Sequence, residues 1–368
     1  MMPLRLLLVT DAVGGVWVYS LELARALKPL GVETLLAVLG SSPSTGQREE
    51  AAGFTLIDTG LPLDWAETSA AELRRAGEQL ALIALRQGVD VMQTSSAAHV
   101  PPSDCETPCV AVQHSCVASW WAAVKGTPLP PEFVWRRDLV QAGLERAAAI
   151  VAPTAAFGDE TARIYKPSAG VITVHNGRRM PAQRELPRGD FVFTAGRLWD
   201  EGKNVATLDR AAARLAAPVQ AAGSVQGPNG ASIRLAHARP LGELSAERLA
   251  GVLSAHPIYA SAAYYEPFGL SVLEAAQSGC ALVLSDIATH RELWDGAAMF
   301  VHARDDQGFA RAIEDLLTDS AERNRRGEAA RTRAQRFSPE PMARAMAAIY
   351  GRVADGRKPA PLRMVGAA

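Results

Sequence analysis

Two kinds of apolar pattern alternate along the chain. Short runs such as "LRLLLVT" at 4–10 and "VETLLAVL" at 32–39 are apolar almost throughout, as expected of strands buried on both faces of a sheet. "GFTLIDTG", "VDVMQT", "CVAVQHS", "AAIVAPT" and "GVITVHNG" read as further strands. Between them, "VWVYSLELARALKPLG", "SAAELRRAGEQLALIALRQG" and the segments 131–147 and 155–165 have helical periodicity. The polar stretch "GRRMPAQRELPRGD" at 177–190 then reads as a linker. After it the alternation restarts. Strands are expected at "FVFTAG", "PVQAAG", "IRLAH", "PIYAS", "ALVLSD" and "AAMFVH". Helices are expected at "NVATLDRAAARLA", 245–254, "GLSVLEAAQSG" and through 305–353.

Strands alternating with helices predict a parallel, doubly wound sheet, and the restart predicts two. The fold class is therefore α/β, with two Rossmann-like domains facing a central cleft. We place the first at 1–180, the second at 188–338, and a poorly ordered tail at 354–368. Ligands of such sheets bind outside the carboxyl ends of the strands, so chemistry is sought in the loops that follow them.

Composition narrows the function classes. The 368 residues are 48% apolar and 21% charged, an ordinary globular balance. A net charge of −1 gives no global attraction to nucleic acid or to an anionic membrane. The opening "MMPLRLLLVTDAVGG" does not read as a signal peptide, because its apolar run is strand-length and Asp11 follows it. No stretch reaches the roughly 18–20 apolar residues that span a bilayer. The expectation is a cytoplasmic protein, with peripheral membrane contact left open. Cys105, Cys109 and Cys116 lie close together around His114, but their spacing matches no common zinc pattern. These three and Cys280 are expected to be buried free thiols.

Four strand-end loops carry candidate chemistry. In "TDAVGGVW", Gly14 and Gly15 let the backbone approach a ligand, and the following helix offers N–H groups to an anion, although a tight turn explains two glycines equally well. In "FTAGRLWDEGKNVATL", Arg197 and Lys203 suit a diphosphate, the first as a planar fork and the second as a point charge. A solvated loop pair is the bland alternative. In "AYYEPFGLSVLEAAQSG", Glu266 sits at a strand exit, Gly269 opens a helix, and Glu274 lies about one and a half turns into it. One carboxylate near a reacting group and one on a ribose diol is a sensible division. In "CVAVQHSC", His114 follows a buried strand and either donates to a substrate hydroxyl or serves the fold. His99 is a weaker candidate, and His175 stands beside the turn-forming pair Asn176–Gly177. Trp120, Trp121 and Trp135 either stack on an acceptor or pack the core.

"EPFGLSVLEAAQSG" resembles the E-x7-E signature of retaining glycosyltransferases of the GT-B fold, the large family that includes sucrose synthases and bacterial mannosyl- and glucosyltransferases. The resemblance covers nearly the whole chain through "GGVWVYSLELARAL", "VAPTAAF", "VHNGR", "AGRLWDEGKN" and "DIATHRELWDGAAMFV". It implies that Arg197 and Lys203 bind the donor diphosphate and that Glu266 contacts the donor sugar near the reacting carbon. Backbone N–H groups around Phe268, Gly269 and Leu270 would hold sugar hydroxyls and phosphate, and Glu274 the ribose hydroxyls. Gly14 and Gly15 would close over the phosphates, and His114 would match a first-domain histidine near the transferred sugar. The last helix, roughly 339–353, would pack back on the first domain. Two departures stand out. The family commonly has four residues between its Arg and Lys, and this chain has "LWDEG", with Gly202 placed to absorb the extra one. Ser115 follows His114 where the family often has an acidic residue.

The implied activity is retaining transfer of a hexosyl group from a UDP-, GDP-, ADP- or dTDP-hexose to a hydroxyl of a glycan, lipid-linked or small-molecule acceptor. No cofactor and no metal is expected, since cations and helix N-termini can meet the leaving-group charge. A nucleotide-sugar binder without transfer activity, or a hydrolase or epimerase on the same fold, is the alternative.

Overall fold

The computed structural model describes residues 3–66, 68–181, 186–228 and 230–356. Residues 182–185 of the linker candidate and 357–368 of the expected tail lie outside the described residues. The chain divides into two compact units, Met1–Gly177 with Pro339–Ala368, and Arg178–Ser338.

Among the described residues, the first unit holds a seven-stranded parallel sheet. Its strands are β1 (Leu4–Asp11), β2 (Val32–Leu39), β3 (Thr55–Asp58), β4 (Val91–Thr94), β5 (Cys109–Val112), β6 (Ala149–Ala152) and β7 (Val171–Thr173). They stand in the order β3-β2-β1-β4-β5-β6-β7. The connecting helices are α1 (Gly15–Leu27), α2 (Thr45–Glu50), α3 (Ala70–Gln87), α4 (Val117–Val124), α5 (Pro131–Arg146) and α6 (Ala155–Tyr165). Successive β1 side chains serve opposite faces: Leu6 and Leu8 join one core cluster, Leu7 and Val9 the other. That two-sided burial is why the strand is apolar throughout.

The second unit repeats the plan with six parallel strands. They are β8 (Val192–Ala195), β9 (Val219–Ala222), β10 (Arg239–Gly242), β11 (Ile258–Ser261), β12 (Leu282–Ser285) and β13 (Ala298–Val301), ordered β10-β9-β8-β11-β12-β13. Its helices are α7 (Val205–Ala212), α8 (Ala246–Leu253), α9 (Leu270–Gln277), α10 (Ala288–Trp294), α11 (Asp306–Thr318) and α12 (Ser320–Ala334). A last helix, α13 (Pro339–Ala354), belongs to the first unit. It buries Met342, Met346, Ile349, Tyr350 and Val353 in the cluster around α1, and the Tyr350 hydroxyl donates to Gln93 Oε1.

One expected strand is corrected. "IRLAH" at 233–237 is not a strand; the strand is "RPLG", β10. The N–H groups of Ala236, His237 and Ala238 donate to the Asp209 carboxylate at 2.8–3.1 Å, so they are unavailable to a ladder. Pro240 is tolerated in β10 because that strand lies at the sheet edge. The short helices α2, α4 and α10 are additions to the expected elements.

In a doubly wound sheet the strand order reverses at one point, and the crevice there is where ligands bind. The reversal falls between β1 and β4 in the first unit and between β8 and β11 in the second.

Candidate functional site

The second unit gathers most of the candidate residues at its reversal. Arg197 and Lys203 follow β8, and Glu266 follows β11, the neighbouring strand. Lys203 Nζ and Glu266 Oε2 form an ion pair, with only 19% and 10% of the two side chains exposed. Neither residue's strand-end position alone implies this contact; the pairing of β8 with β11 does.

The loop that carries Lys203 is held at both ends. Asp200 accepts from the Gly202 N–H at 2.9 Å and from Arg197 Nη2 at 2.8 Å. Glu201–Lys203 form a 3-10 turn, and Asn204 closes it in the left-handed region at φ 50°. Asn204 Nδ2 donates to the carbonyls of Ala262 and Ala303 at 2.8 and 2.7 Å. The five residues between Arg197 and Lys203 end in this Asp200-capped turn. Gly202 is outside the left-handed region, and its carbonyl accepts from the Tyr264 and Tyr265 N–H groups.

Gly269 caps α9 at φ 88°, a conformation that favours glycine. A Cβ there would stand 3.2 Å from Glu266 Cγ and 3.2 Å from Val272 Cγ2. Glycine therefore permits both the turn and the close approach of Glu266 to the start of α9. Phe268 is buried, its ring edge-on to Phe337 at 5.8 Å, and Leu270 is half-buried. Glu274 is buried and accepts from Arg178 Nε at 2.9 Å. Arg197 is the most exposed of the charged group; its guanidinium lies 5.7 Å from the centroid of the Trp199 ring.

In the first unit, Gly14, the N-cap of α1 at φ 69°, and Gly15, its first residue, are exposed. His114 follows β5 and packs edge-on against Tyr19 of α1, centroids 4.4 Å apart. Its Nε2 is enclosed, with no hydrogen-bond partner among the described residues. Burial pushes its imidazole down to about 4, so it is neutral at ordinary pH. Gln93 Nε2 donates to the Tyr19 hydroxyl at 3.4 Å. His99 Nε2 donates to the Pro62 carbonyl at 2.9 Å.

The thiol expectation needs one correction. Cys109, Cys116 and Cys280 are buried free thiols, and burial pushes Cys109 up to about 12. Cys105 is only half-buried because its loop precedes β5 at the surface. Trp135 packs against a core cluster. Trp120 and Trp121 are half-buried and tilted, with Lys125 about 6 Å from both rings.

Sequence reasoning missed Asp200, Asn204, Arg178 and His290. Asp200 and Asn204 carry a local signal, since both residue types favour caps and turns. His290 sits in the first turn of α10, fully buried; its Nδ1 donates to the Ser285 carbonyl at 3.0 Å. Burial holds its imidazole below the usual range, while nearby Glu266 pulls it back up.

The fold is GT-B. It superimposes on sucrose-phosphate synthase from Thermosynechococcus elongatus with a TM-score of 0.78, at 18% identity, covering 96% of this chain and 100% of that one. Anabaena HepE, solved with UDP-glucose, gives a TM-score of 0.72 at 14% identity, covering 94% and 99%. Family models then address the two units separately. Residues 13–179 match Glycosyltransferase Family 4, and residues 232–333 match Glycosyl transferases group 1. The two matches and the fold together support a GT-B glycosyltransferase. The second match contains Glu266, Gly269 and Glu274; Arg197 and Lys203 lie outside both. The chain is also similar to glycogen synthase of Mycobacterium tuberculosis, 39% identical over 102 residues. That stretch is 27% of this chain and spans a quarter of the curated relative's length. Among the described residues, no helix is long and apolar enough to cross a membrane.

Proposed function

We propose that the protein transfers a hexosyl group, with retention, from a nucleotide-diphosphate sugar to an acceptor hydroxyl. The observation that carries this reading lies at the reversal of the second sheet: the Lys203–Glu266 pair beside the glycine-capped start of α9, with Arg197 on the same loop as Lys203. Neighbours of the same fold support the donor class, since HepE is solved with UDP and with UDP-glucose.

The chemistry follows from charge. As the bond from the anomeric carbon to the diphosphate breaks, positive charge grows on the sugar and negative charge on the leaving group. Lys203 and Arg197 offset the negative charge, and the N–H groups at the start of α9 add to them. Preorganisation is what makes such groups effective, and Lys203 is already fixed by Glu266 on one side and by its loop on the other. Glu266 faces the sugar near its reacting carbon, and Glu274 takes the ribose diol. The acceptor oxygen forms its new bond on the face the diphosphate leaves, and its proton passes to a leaving phosphate oxygen. Retention follows from that front-face attack, and with two cations at the diphosphate no metal is needed for it. In the first unit, the exposed N–H groups at Gly14 and Gly15 are available to an anion. His114, neutral and enclosed, serves as a hydrogen-bonding group rather than a proton shuttle near pH 7.

The test is a thermal-shift panel of UDP, GDP, ADP, dTDP and CDP, followed by donor turnover with and without candidate acceptors. A ligand that binds only the folded state raises its melting temperature. One nucleotide should raise it, and the matching sugar nucleotide should turn over faster with an acceptor present. No shift with any of the five would sink the reading. Turnover indifferent to acceptor would make the protein a hydrolase or epimerase instead.

A further inference from the structure

We propose that Arg178 is a positioning residue for the donor ribose, acting through Glu274. The inference rests on the transferase reading above and assigns a role to a residue outside its binding set. Arg178 and Glu274 are 96 residues apart in sequence, both at least nine-tenths buried, and joined by Nε–H···Oε1 at 2.9 Å. A carboxylate buried this deeply is costly unless it is paired. The pairing by itself therefore shows only that Glu274 needs a partner.

The main chain of Arg178 says more. Its N–H donates to the Phe337 carbonyl at 3.1 Å, and its carbonyl accepts from Gln277 Nε2 at 2.6 Å. Gln277 lies on α9, three residues beyond Glu274, so the two share one helix face. Arg178 is thus fastened to that face twice, once by side chain and once by backbone. Phe337 in turn packs edge-on against Phe268, the residue before the glycine that opens α9. The guanidinium is therefore held against the same short helix whose start borders Glu266. A guanidinium held by its own backbone directs its Nε–H at one oxygen of Glu274 and so restrains the carboxylate, which a freely rotating ammonium on a flexible stem does less well. A carboxylate that is to accept from two vicinal hydroxyls needs its plane set.

A purely structural ion pair would affect stability and leave ribose recognition alone, so recognition is the readout. UDP, GDP and ADP, each against its 2′-deoxy counterpart, are titrated into the wild type and into Arg178→Lys, Arg178→Met and Glu274→Gln. Melting temperatures are recorded alongside to confirm folding. For the nucleotide that binds best, the wild type should prefer the ribo form by about tenfold or more, the usual worth of a hydrogen bond to a charged group. Glu274→Gln should lose most of that preference. Arg178→Lys keeps the charge and the fold but lacks the fork, and should lose several-fold of it; Arg178→Met, if folded, should lose more. The double variant Arg178→Met/Glu274→Gln should resemble Glu274→Gln alone, and it removes both buried charges if the single Met variant fails to fold. Arg178→Lys with the wild-type ratio, in a background where Glu274→Gln has lost it, would overturn the role of Arg178 alone. A wild-type ratio in Glu274→Gln would overturn the ribose assignment itself, and no binding of these six probes, nor of CDP or dTDP, would sink the transferase reading with it.

Discussion

The two sheets share one winding but carry different chemistry at their strand ends. In the second unit the candidate groups are charged and already paired: Lys203 with Glu266, Arg178 with Glu274, Arg197 with Asp200. In the first they are backbone amides at Gly14 and Gly15 and an imidazole that burial keeps neutral. A diphosphate leaving group needs cations, whereas orienting hydroxyls needs neutral donors and acceptors. Under the proposed transfer, the contrast gives the charge-handling part to the second unit, and the variants below are chosen to break that reading.

The largest effect is expected at Lys203. Lys203→Ala removes a preorganised cation and leaves Glu266 nine-tenths buried without its partner. We expect kcat/KM to fall by about 10² to 10³, the range for losing one transition-state donor. Arg197→Ala should cost about 10², at the lower end, because Arg197 is more exposed. Steady-state kinetics on the donor found by thermal shift measures both. Near-unchanged turnover in Lys203→Ala would remove the charge-handling role from the second unit.

Next comes the loop beneath that lysine. Asn204→Ala leaves the carbonyls of Ala262 and Ala303 without their donor and places a less tolerant residue at φ 50°. Each loss is worth about 1 to 2 kcal/mol, so about 3 kcal/mol of stability should disappear, read by urea denaturation. A loss under about 1 kcal/mol would mean the loop is held by other means.

A pH-dependent stability is expected of the first unit. His114 titrates near 6.5 in the unfolded chain and at about 4 when folded. Between those values the unfolded state binds the extra proton, so stability is full above about pH 6.5 and falls as pH drops toward 4. Allowing for the part of the ring that reaches solvent, His114 should account for about 1 to 3 kcal/mol of that loss. His114→Asn should flatten the profile, as followed by melting temperature from pH 7.5 to 4.5. His290 shifts in the same direction, so some slope should persist in the variant. An unchanged profile would show that His114 is not the buried neutral group described here.

How far the sequence discloses these features depends on whether their cause is local. β1 and β2 are legible because burial on both faces leaves only apolar residues. β10 is not, because an edge strand can carry Pro240, while the apolar "IRLAH" gives its neighbouring N–H groups to Asp209. α2, "TGQREE", has no apolar face to betray it and is set by the capping box of Ser44 and Gln47. In the site, Glu266, Gly269 and Glu274 stand out by spacing along one loop and helix, and Lys203 by its own motif. Their partners do not stand out. Arg178 reaches Glu274 from 96 residues away, and Lys203 meets Glu266 across 63, contacts created by strand order rather than by any local pattern.

The smallest effect expected is at Asp200, and it sharpens the comparison by asking whether the pairs of the second unit are equal. Asp200 is buried, but its partner Arg197 is 43% exposed, so the ion pair is well screened. Asp200→Asn keeps an oxygen that can accept from the Gly202 N–H and gives up the charge and the second acceptor, which Arg197 uses. Stability should change by less than about 1 kcal/mol. Arg197, no longer held by a carboxylate, should remain able to meet a diphosphate, so donor affinity should change by only a few-fold in either direction. If Asp200→Asn instead cost as much as Arg197→Ala, the exposed arginine would owe its function to being held in place, and the half-exposed pair would stand with Lys203–Glu266 as preorganised machinery. Measuring both variants against Lys203→Ala, on one donor and at one ionic strength, separates a cation that works by being fixed from one that works by being present.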